Sequence, residues 1–222
     1  MIKFFFNIVL ALYGFSLFAQ DNKHTVGLKS GIGFFNIYSA NKEKSIVFND
    51  TKYRSVFVSF LNYEYRLNSL FSIVTGCGFI QKGYKEELKI TNENASVDII
   101  DFDYKFNYLS IPVILNIQKG KRFKLFTEIG IVPSYLINSR YYHSASQIIP
   151  ATTDEIKNVA KFDVVGEVGI GVTCHINEKI KIGLGGYYNL SFLTISTKDY
   201  WSGFDLKHFG FYSTLILKYQ IF

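Results

Sequence analysis

Apolar and polar residues alternate along most of the chain, and the alternation falls into eight separate segments. Alternation with a period of two is typical of β-strands that have one apolar face and one polar face. Most segments are long enough to cross a bilayer as tilted strands, which takes about nine to eleven residues, whereas strands of globular proteins usually have about five or six. The predicted strands are residues 25–35, 56–65, 71–84, 104–117, 123–139, 162–176, 180–190 and 207–221.

The connections between these segments alternate strictly between long and short. Long polar connections are predicted at 36–55, 85–103, 140–161 and 191–206, and short ones at 66–70, 118–122 and 177–179. Short turns at one end and long loops at the other are typical of outer-membrane barrels, and a soluble sandwich has no reason to sort its loops in this way. The predicted fold class is therefore all-β: an eight-stranded antiparallel up-and-down transmembrane β-barrel.

One face of the predicted strands is apolar, and the other carries charged residues and most of the strand glycines. Because an eight-stranded barrel is only wide enough to be filled by side chains, small residues must alternate with large ones inside it. We therefore expect the charged face to line the lumen, with charges of both signs paired. The predicted lumen polar network comprises Lys29, Glu64, Lys124, Glu128, Asp163, Glu167, Lys181 and Lys218, and Lys82 lies on the same face.

The apolar face, which has tyrosine and phenylalanine near the strand ends, would then contact lipid. Periodicity alone also allows the opposite arrangement, with the apolar face inside. That arrangement defines a second hypothesis, a soluble secreted β-barrel that binds an apolar ligand. The glycines and charges on the other face favour the membrane barrel.

The N-terminus, MIKFFFNIVLALYGFSLFAQ, combines one basic residue, an uncharged apolar run and a small residue at position 19. This is the pattern of a secretory signal. It predicts a cleaved signal peptide at 1–19, followed by one outer-membrane β-barrel domain at 20–222. The predicted location is the outer membrane of a Gram-negative cell. Cys77 and Cys174 fall on the lipid phase of non-adjacent strands, so we expect no disulfide between them.

The segment YLSIPVILN at 108–116 resembles the hallmark strand of the PorT-like family of small bacterial outer-membrane β-barrels, in which a Leu-x-Ile-Pro pattern recurs, here Leu109, Ile111 and Pro112. The segments VTGCGFIQKGYK, KLFTEIGIVPSYLI and DVVGEVGIGV agree with the family in order and spacing. The resemblance implies an integral outer-membrane barrel, and in some relatives a role in a secretion machine.

Proline cannot donate a ladder hydrogen bond, so Pro112 needs a local explanation within a strand whose alternation continues beyond it. It falls on the lumen phase with Ser110 and Ile114, and the next strand carries Pro133. We expect a bulge or an unpaired rung between these neighbouring strands.

Candidate chemistry is sparse. His143 and Ser144, with Asp154 and Glu155 downstream, could form a hydrolytic set, which defines a third hypothesis, a membrane-embedded lipid-modifying enzyme. The histidines lack metal-ligand spacing, and the glycine motifs lack the strand-to-helix context of a phosphate loop. We predict no catalytic residue, no cofactor and no metal. No Lys/Arg cluster resembles a nucleic-acid arm, so no nucleic-acid partner is predicted.

The preferred function is a non-enzymatic barrel with a filled lumen and long extracellular loops, in an assembly, secretion-associated or surface-interaction role. We expect a monomer that contacts outer-membrane lipid and meets the barrel-assembly machinery during biogenesis. A protein partner is expected at the loops or at the periplasmic rim. The candidate contact residues in the loops are Tyr141, Tyr142, Tyr200 and Trp201.

Overall fold

The computed structural model of the chain describes residues 23–39, 51–91, 97–145, 150–199 and 203–221. The predicted signal peptide at 1–19 lies outside these residues. The strands are β1 (His24–Ser39), β2 (Lys52–Arg66), β3 (Phe71–Thr91), β4 (Val97–Ser110), β5 (Val113–Gly120), β6 (Phe123–His143), β7 (Thr152–Glu155), β8 (Phe162–His175), β9 (Ile180–Ser191) and β10 (Leu206–Ile221). Among the described residues, no helix is both long and apolar enough to cross a membrane.

The strands form one closed antiparallel sheet. Each long strand pairs with its neighbours in the chain, β4 and β5 together act as one wall strand, and β1 pairs with β10 from His24 opposite Ile221 to Ser39 opposite Leu206. The eight-stranded up-and-down barrel predicted from the sequence is therefore confirmed. Closure leaves no free sheet edge in the wall, which is what a bilayer requires of a β-structure.

Pro112 interrupts the strand that was predicted to run without a break over 104–117. Residues 111 and 112 separate β4 from β5, yet the register against β3 is the same before the gap, at Ser110, and after it, at Val113. The amide of Ile111 still donates to the carbonyl oxygen of Pro133 at 2.9 Å. Of the two expected alternatives, the structure has the unpaired rung at the proline.

The pairing of β4 with β6 also contains a bulge, which lies before Pro112 in the chain. The register between β4 and β6 shifts between Asn107 and Tyr108, where Ile137 is the additional residue on β6. A bulge lets one strand carry an extra residue and increases its local twist. β6 then continues to His143, although its pairing with β8 ends at Tyr135.

β6 therefore does not end at residue 139 as predicted, and part of the long connection 140–161 forms the short strand β7 along its edge. β3 and β4 also run farther than predicted, to Thr91 and from Val97. These additional residues pair with one another above the barrel wall. These residues were predicted as loops because of the polar composition of 85–103 and 140–161, although the inner surface of the extension carries apolar and aromatic side chains.

The two faces of the wall are as predicted. Outward-facing residues such as Ile32, Leu125, Ile170 and Leu215 are largely exposed, whereas the charged phase is buried inside. Aromatic and aliphatic side chains fill the rest of the interior, where the fully buried ones include Phe106, Tyr108 and Tyr212. In the described strands, the continuous apolar face is turned outward, which is the reverse of the arrangement that a soluble ligand-binding barrel needs.

Apolar residues close the interior at the long-loop end. Ile156, Val159 and Ile195 are buried there and belong to the same core as the lumen residues. Backbone hydrogen bonds hold them in place: Ile156 donates to Ser139, and Ile195 donates to Leu206. The described loops after β7 and β9 thus fold over the barrel and form an apolar cap.

Glycines are needed where the wall is most tightly packed. A Cβ atom at Gly31 would lie 1.8 Å from the carbonyl oxygen of Ser213 on β10, and one at Gly169 would lie 2.3 Å from the ring of Tyr187. Such contacts are too short for any real side chain. Gly186, in contrast, faces open space, with no atom within 4 Å of a Cβ built on it.

We expect Gly31→Ala to destabilise the barrel by about 1–3 kcal/mol, because the new methyl group can be accommodated only by moving the backbone of β10. The measurement is urea unfolding of the protein in detergent micelles, followed by the heat-dependent shift on SDS gels. Gly186→Ala is the matched control and should change the unfolding free energy by less than about 0.5 kcal/mol. Equal effects of the two substitutions would contradict the packing described here.

Candidate functional site

Three ion pairs cross the interior of the barrel. The ammonium of Lys29 donates to Glu128 at 2.9 Å, and that of Lys82 donates to Asp163 at 2.6 Å. Lys218 donates to Glu64 at 2.7 Å. The pairs join β1 to β6, β3 to β8 and β10 to β2, so each links strands that are not neighbours in the wall. Lys82 and Asp163 form the most deeply buried of the three pairs, with exposed fractions of 0% and 2%.

Neutral side chains donate further hydrogen bonds to two of these carboxylates. Glu64 also accepts from the hydroxyl of Ser72 at 2.7 Å and from the amide of Gln118 at 3.1 Å. Asp163 also accepts from the hydroxyl of Ser191 at 2.7 Å. For Glu64, these hydrogen bonds satisfy the remaining lone pairs, which is the condition under which a buried ion pair is tolerated. For Asp163, both donors bind Oδ2, and Oδ1 has no hydrogen-bond partner among the described residues.

Glu167 makes no ion pair with a lysine of the described residues. Its carboxylate accepts hydrogen bonds from the amide of Asn189 at 2.9 Å and from the hydroxyl of Tyr212 at 2.5 Å. The Tyr212 ring stacks on Tyr187, with 4.9 Å between the ring centroids. Tyr187 in turn lies under the ammonium of Lys29, which is 4.0 Å from its centroid. Aromatic faces therefore take part in stabilising the lumen cations.

Of the eight residues predicted to form the network, the structure brings Lys29, Glu64, Glu128, Asp163, Glu167 and Lys218 into direct polar contacts. The ammonium groups of Lys124 and Lys181 make no hydrogen bond or ion pair within the described part of the chain. Both point inward at the short-turn end, where Lys181 is buried and Lys124 is half-buried.

His208 is a buried lumen residue whose surroundings the sequence did not indicate. Its ring packs edge-on against Phe106, with 5.0 Å between the centroids, and it is completely buried. Neither ring nitrogen has a hydrogen-bond partner among the described residues. The sequence placed the residue on the lumen phase of its strand, but the neighbours it meets across the lumen depend on how the strands are staggered.

β3, β4 and β6 form a sheet that rises above the rest of the wall. We call it the rim sheet and define it as residues 84–91, 97–104 and 141–143 together with β7. Just below the rim sheet, the outward-facing row of the wall changes from apolar side chains to the polar side chains of Asn107 and Asn138, which are hydrogen bonded to each other. This change marks the level at which the sheet leaves the apolar band.

Aromatic rings cover the inner surface of the rim sheet. Tyr84 and Tyr104 are stacked, with 4.4 Å between centroids, and Tyr141 follows Tyr104 at 6.0 Å. Phe102 and His143 continue the row, with 5.7 Å between their centroids. Burial raises the pKa of the Tyr141 hydroxyl, and the nearby Asp154 carboxylate raises it further. The row is partly exposed and is therefore available for contact.

The predicted loop contact residues do not all lie on one surface of the structure. Tyr141 belongs to the aromatic row and donates to Asp154 at 3.3 Å. Tyr142 lies on the opposite surface of the rim sheet and is 47% exposed. Tyr200 and Trp201 lie outside the described residues. In the family-motif strand, Leu109 and Ile111 face outward and Pro112 faces the lumen.

The arrangement of His143 and Ser144 is not that of a nucleophile and its base. A ring nitrogen of His143 lies 3.2 Å from the backbone carbonyl oxygen of Ser144, not from its hydroxyl. The Ser144 hydroxyl oxygen accepts a hydrogen bond from the amide of Asp101 at 3.0 Å. Asp154 interacts with Tyr141 instead of with the histidine. Among the described residues, no group of three or more His, Cys, Asp or Glu side chains could hold a metal ion.

Residues 18–195 match the family model described as outer membrane protein beta-barrel domain. No curated protein matches the chain. Among solved structures, Ail, the attachment invasion locus protein of Yersinia pestis, is similar with 14% identity and a TM-score of 0.43 over 90% of this chain and 99% of that chain. Neisserial surface protein A has 10% identity and a TM-score of 0.45 over 90% and 98%. The outer membrane protease OmpT from Escherichia coli has 10% identity and a TM-score of 0.44 over 90% and 94%.

We expect Lys82→Met to lower the free energy of unfolding by about 3–5 kcal/mol, because it leaves the Asp163 carboxylate buried without its cation. The double substitution Lys82→Met with Asp163→Asn should be less destabilising than Lys82→Met alone. Urea unfolding in micelles measures both effects. Lys52→Met removes an exposed ion pair with Glu87 and serves as the control, with an expected cost below about 1 kcal/mol. A double variant no better than the single one would contradict the pairing.

Proposed function

The chain belongs to the family of outer membrane protein β-barrel domains, and we propose that it is a non-enzymatic, PorT-like member that acts through contacts at the rims of its barrel. The observation that carries this proposal is the filled and capped interior. Side chains occupy the lumen, and Ile156, Val159 and Ile195 cover it at the long-loop end. A barrel of this kind offers no wide path for solutes, so its work falls to its ends.

The rim sheet is the contact surface that we propose at the long-loop end. It extends beyond the apolar band, and it presents a partly exposed aromatic row on one surface and Tyr142 on the other. Aromatic side chains supply large contact areas and are enriched at protein interfaces. Its strands are paired with the barrel wall, so the surface is held in a fixed position before a partner arrives.

Orientation and export complete the proposal. We infer that the signal peptide at 1–19 is removed. We also infer that the short turns face the periplasm and that the long loops and the rim sheet face the outside of the cell. The PorT-like motif strand supports a surface or secretion-associated role, in which the barrel acts as a monomer after insertion by the assembly machinery. The hydrogen bonds of Ser144 and His143 favour this role over lipid hydrolysis, because neither group is aligned for nucleophilic attack.

The orientation predicts which cysteines a membrane-impermeant maleimide can label in intact cells. In a background of Cys77→Ser and Cys174→Ser, Tyr142→Cys on the rim sheet should react in intact cells. Glu178→Cys, in the exposed turn after β8, should react only after the outer membrane is permeabilised. The reverse pattern would show that the barrel is inserted the other way round, and labelling of both sites in the soluble fraction would contradict membrane insertion.

The contact role predicts that a photo-crosslinking amino acid at Tyr141 forms discrete adducts with the same protein in living cells. The matched control is the same amino acid at Leu215, which is 71% exposed on the apolar band and should meet only lipid. Substitution of Phe102 by Ser in the crosslinking chain should weaken the adduct, since it interrupts the aromatic row. Absence of any adduct at Tyr141, with normal insertion, would argue against a partner at this surface.

A further inference from the structure

Four cationic side chains point inward at the short-turn end of the barrel. They are Arg66 at the end of β2, Lys124 at the start of β6, Lys181 at the start of β9 and Lys218 near the end of β10. Lys181 lies directly opposite Lys218 in the pairing of β9 with β10. Like charges directly opposite each other in a sheet are destabilising, so this arrangement needs a compensating interaction.

The four charges are close enough to act on one another. Lys181 experiences the positive charges of Arg66, Lys124 and Lys218 together with the negative charge of Glu64. Lys124 experiences Arg66, Lys218 and Glu64 in the same way. The side chains come from four different strands, so this proximity is a property of the closed barrel and not of one local segment.

Glu64 is the carboxylate within this group, and its own hydrogen bonds are already made. One of its oxygens accepts from Lys218, and the other accepts from Ser72 and Gln118. The next carboxylate inward, Glu128, binds Lys29. Glu178, in the turn after β8, is exposed to solvent. The charges of Arg66, Lys124 and Lys181 are therefore left without an ion-pair partner among the described residues.

Of the four residues, Lys181 gives the strongest indication that an anion is bound here. It has an exposed fraction of only 4%, yet its ammonium makes no hydrogen bond or ion pair with any described residue. A buried cation without a partner is costly, and natural structures normally pair it. Just inside this group, Lys29, Asn62, Glu64 and Lys218 are among the residues that line a small cavity with room for about one water molecule. The group therefore lies between this cavity and the short turns.

His175 lies at the edge of the group and is subject to the same positive field. It lies at the end of β8, and its ring nitrogen is 3.3 Å from the carbonyl oxygen of Arg122. Burial lowers the pKa of its imidazole, and the charges of Lys181, Lys124 and Arg66 lower it further. The direction of the shift shows that His175 lies within the positive field of the group.

We propose that Arg66, Lys124, Lys181 and Lys218 form a binding site for a soluble multivalent oxyanion, of which inorganic phosphate is the simplest example. The arginine supplies a planar fork of donors and the lysines supply point charges, a combination suited to the oxygens of a phosphate group. The side chains point into the lumen, away from the lipid-facing row, so the ligand enters from solution at the short-turn end. The site is independent of the contacts proposed for the rim sheet.

The first experiment is a calorimetric titration of the refolded barrel with phosphate and with pyrophosphate, in zwitterionic micelles at low ionic strength, where screening is weak. We expect saturable binding, tighter for pyrophosphate. Lys181→Gln should weaken it about tenfold or more, since it removes a charge-assisted contact. Lys119→Gln, at the exposed end of β5, is the matched control and should bind as the unchanged chain does. No saturable binding, or equal losses in the two variants, would overturn the proposal.

Stability measurements keep the proposal testable if affinities are low. Lys181→Gln should unfold at a higher urea concentration than the unchanged chain when phosphate is absent, because a like-charge contact with Lys218 is removed. Phosphate should stabilise the unchanged chain and should raise the pKa of the His175 imidazole, followed by NMR. If only micelles or nanodiscs that contain phosphatidylglycerol reproduce these effects, the group binds a lipid headgroup and the soluble ligand is wrong.

Discussion

The pairing of β1 with β10 is the contact on which the rest of the structure depends. In lipid, an unpaired backbone amide or carbonyl has no water to bond, so a sheet can cross the membrane only as a closed ring. Closure of eight strands also fixes the width of the interior, which is just sufficient for side chains. The apolar exterior, the glycines of the wall and the charges of the lumen all follow from this one constraint.

The narrow interior explains why the lumen charges are paired across the barrel. Lys29, Lys82 and Lys218 each reach a carboxylate on a strand that is not adjacent in the wall. Such pairs contribute little net stability compared with apolar packing of the same volume, since both ions lose their hydration. They do require particular strands to face each other, so a barrel with a different stagger would leave several charges buried alone. We interpret them as a device for specifying the register of the wall.

The sequence was sufficient to predict the eight wall strands, their order and which face is turned outward, because the period of two and the lengths of the connections carry that information. It was not sufficient to pair the lumen charges. Glu167 binds Asn189 and Tyr212 instead of a lysine, and Lys181 faces another lysine. Which side chains meet across the lumen depends on the stagger of the strands, which alternation does not encode. The rim sheet was missed because the polar residues in 85–103 and 140–161 made these segments resemble loops.

The two ends of the barrel differ in a way that follows from what each end must contact. At the long-loop end, buried apolar side chains such as Ile195 and Val159 close the interior, and the wall continues upward as a rigid sheet with an aromatic surface. At the short-turn end, charged groups line the interior. Glu64 binds Lys218, and Lys181, which lies opposite Lys218, has no ion-pair partner among the described residues. An apolar cap excludes water and ions, whereas unpaired ammonium groups attract anions. The lumen is therefore not a symmetrical plug: among the described residues, apolar side chains cover it at the long-loop end, and charged side chains line it at the short-turn end.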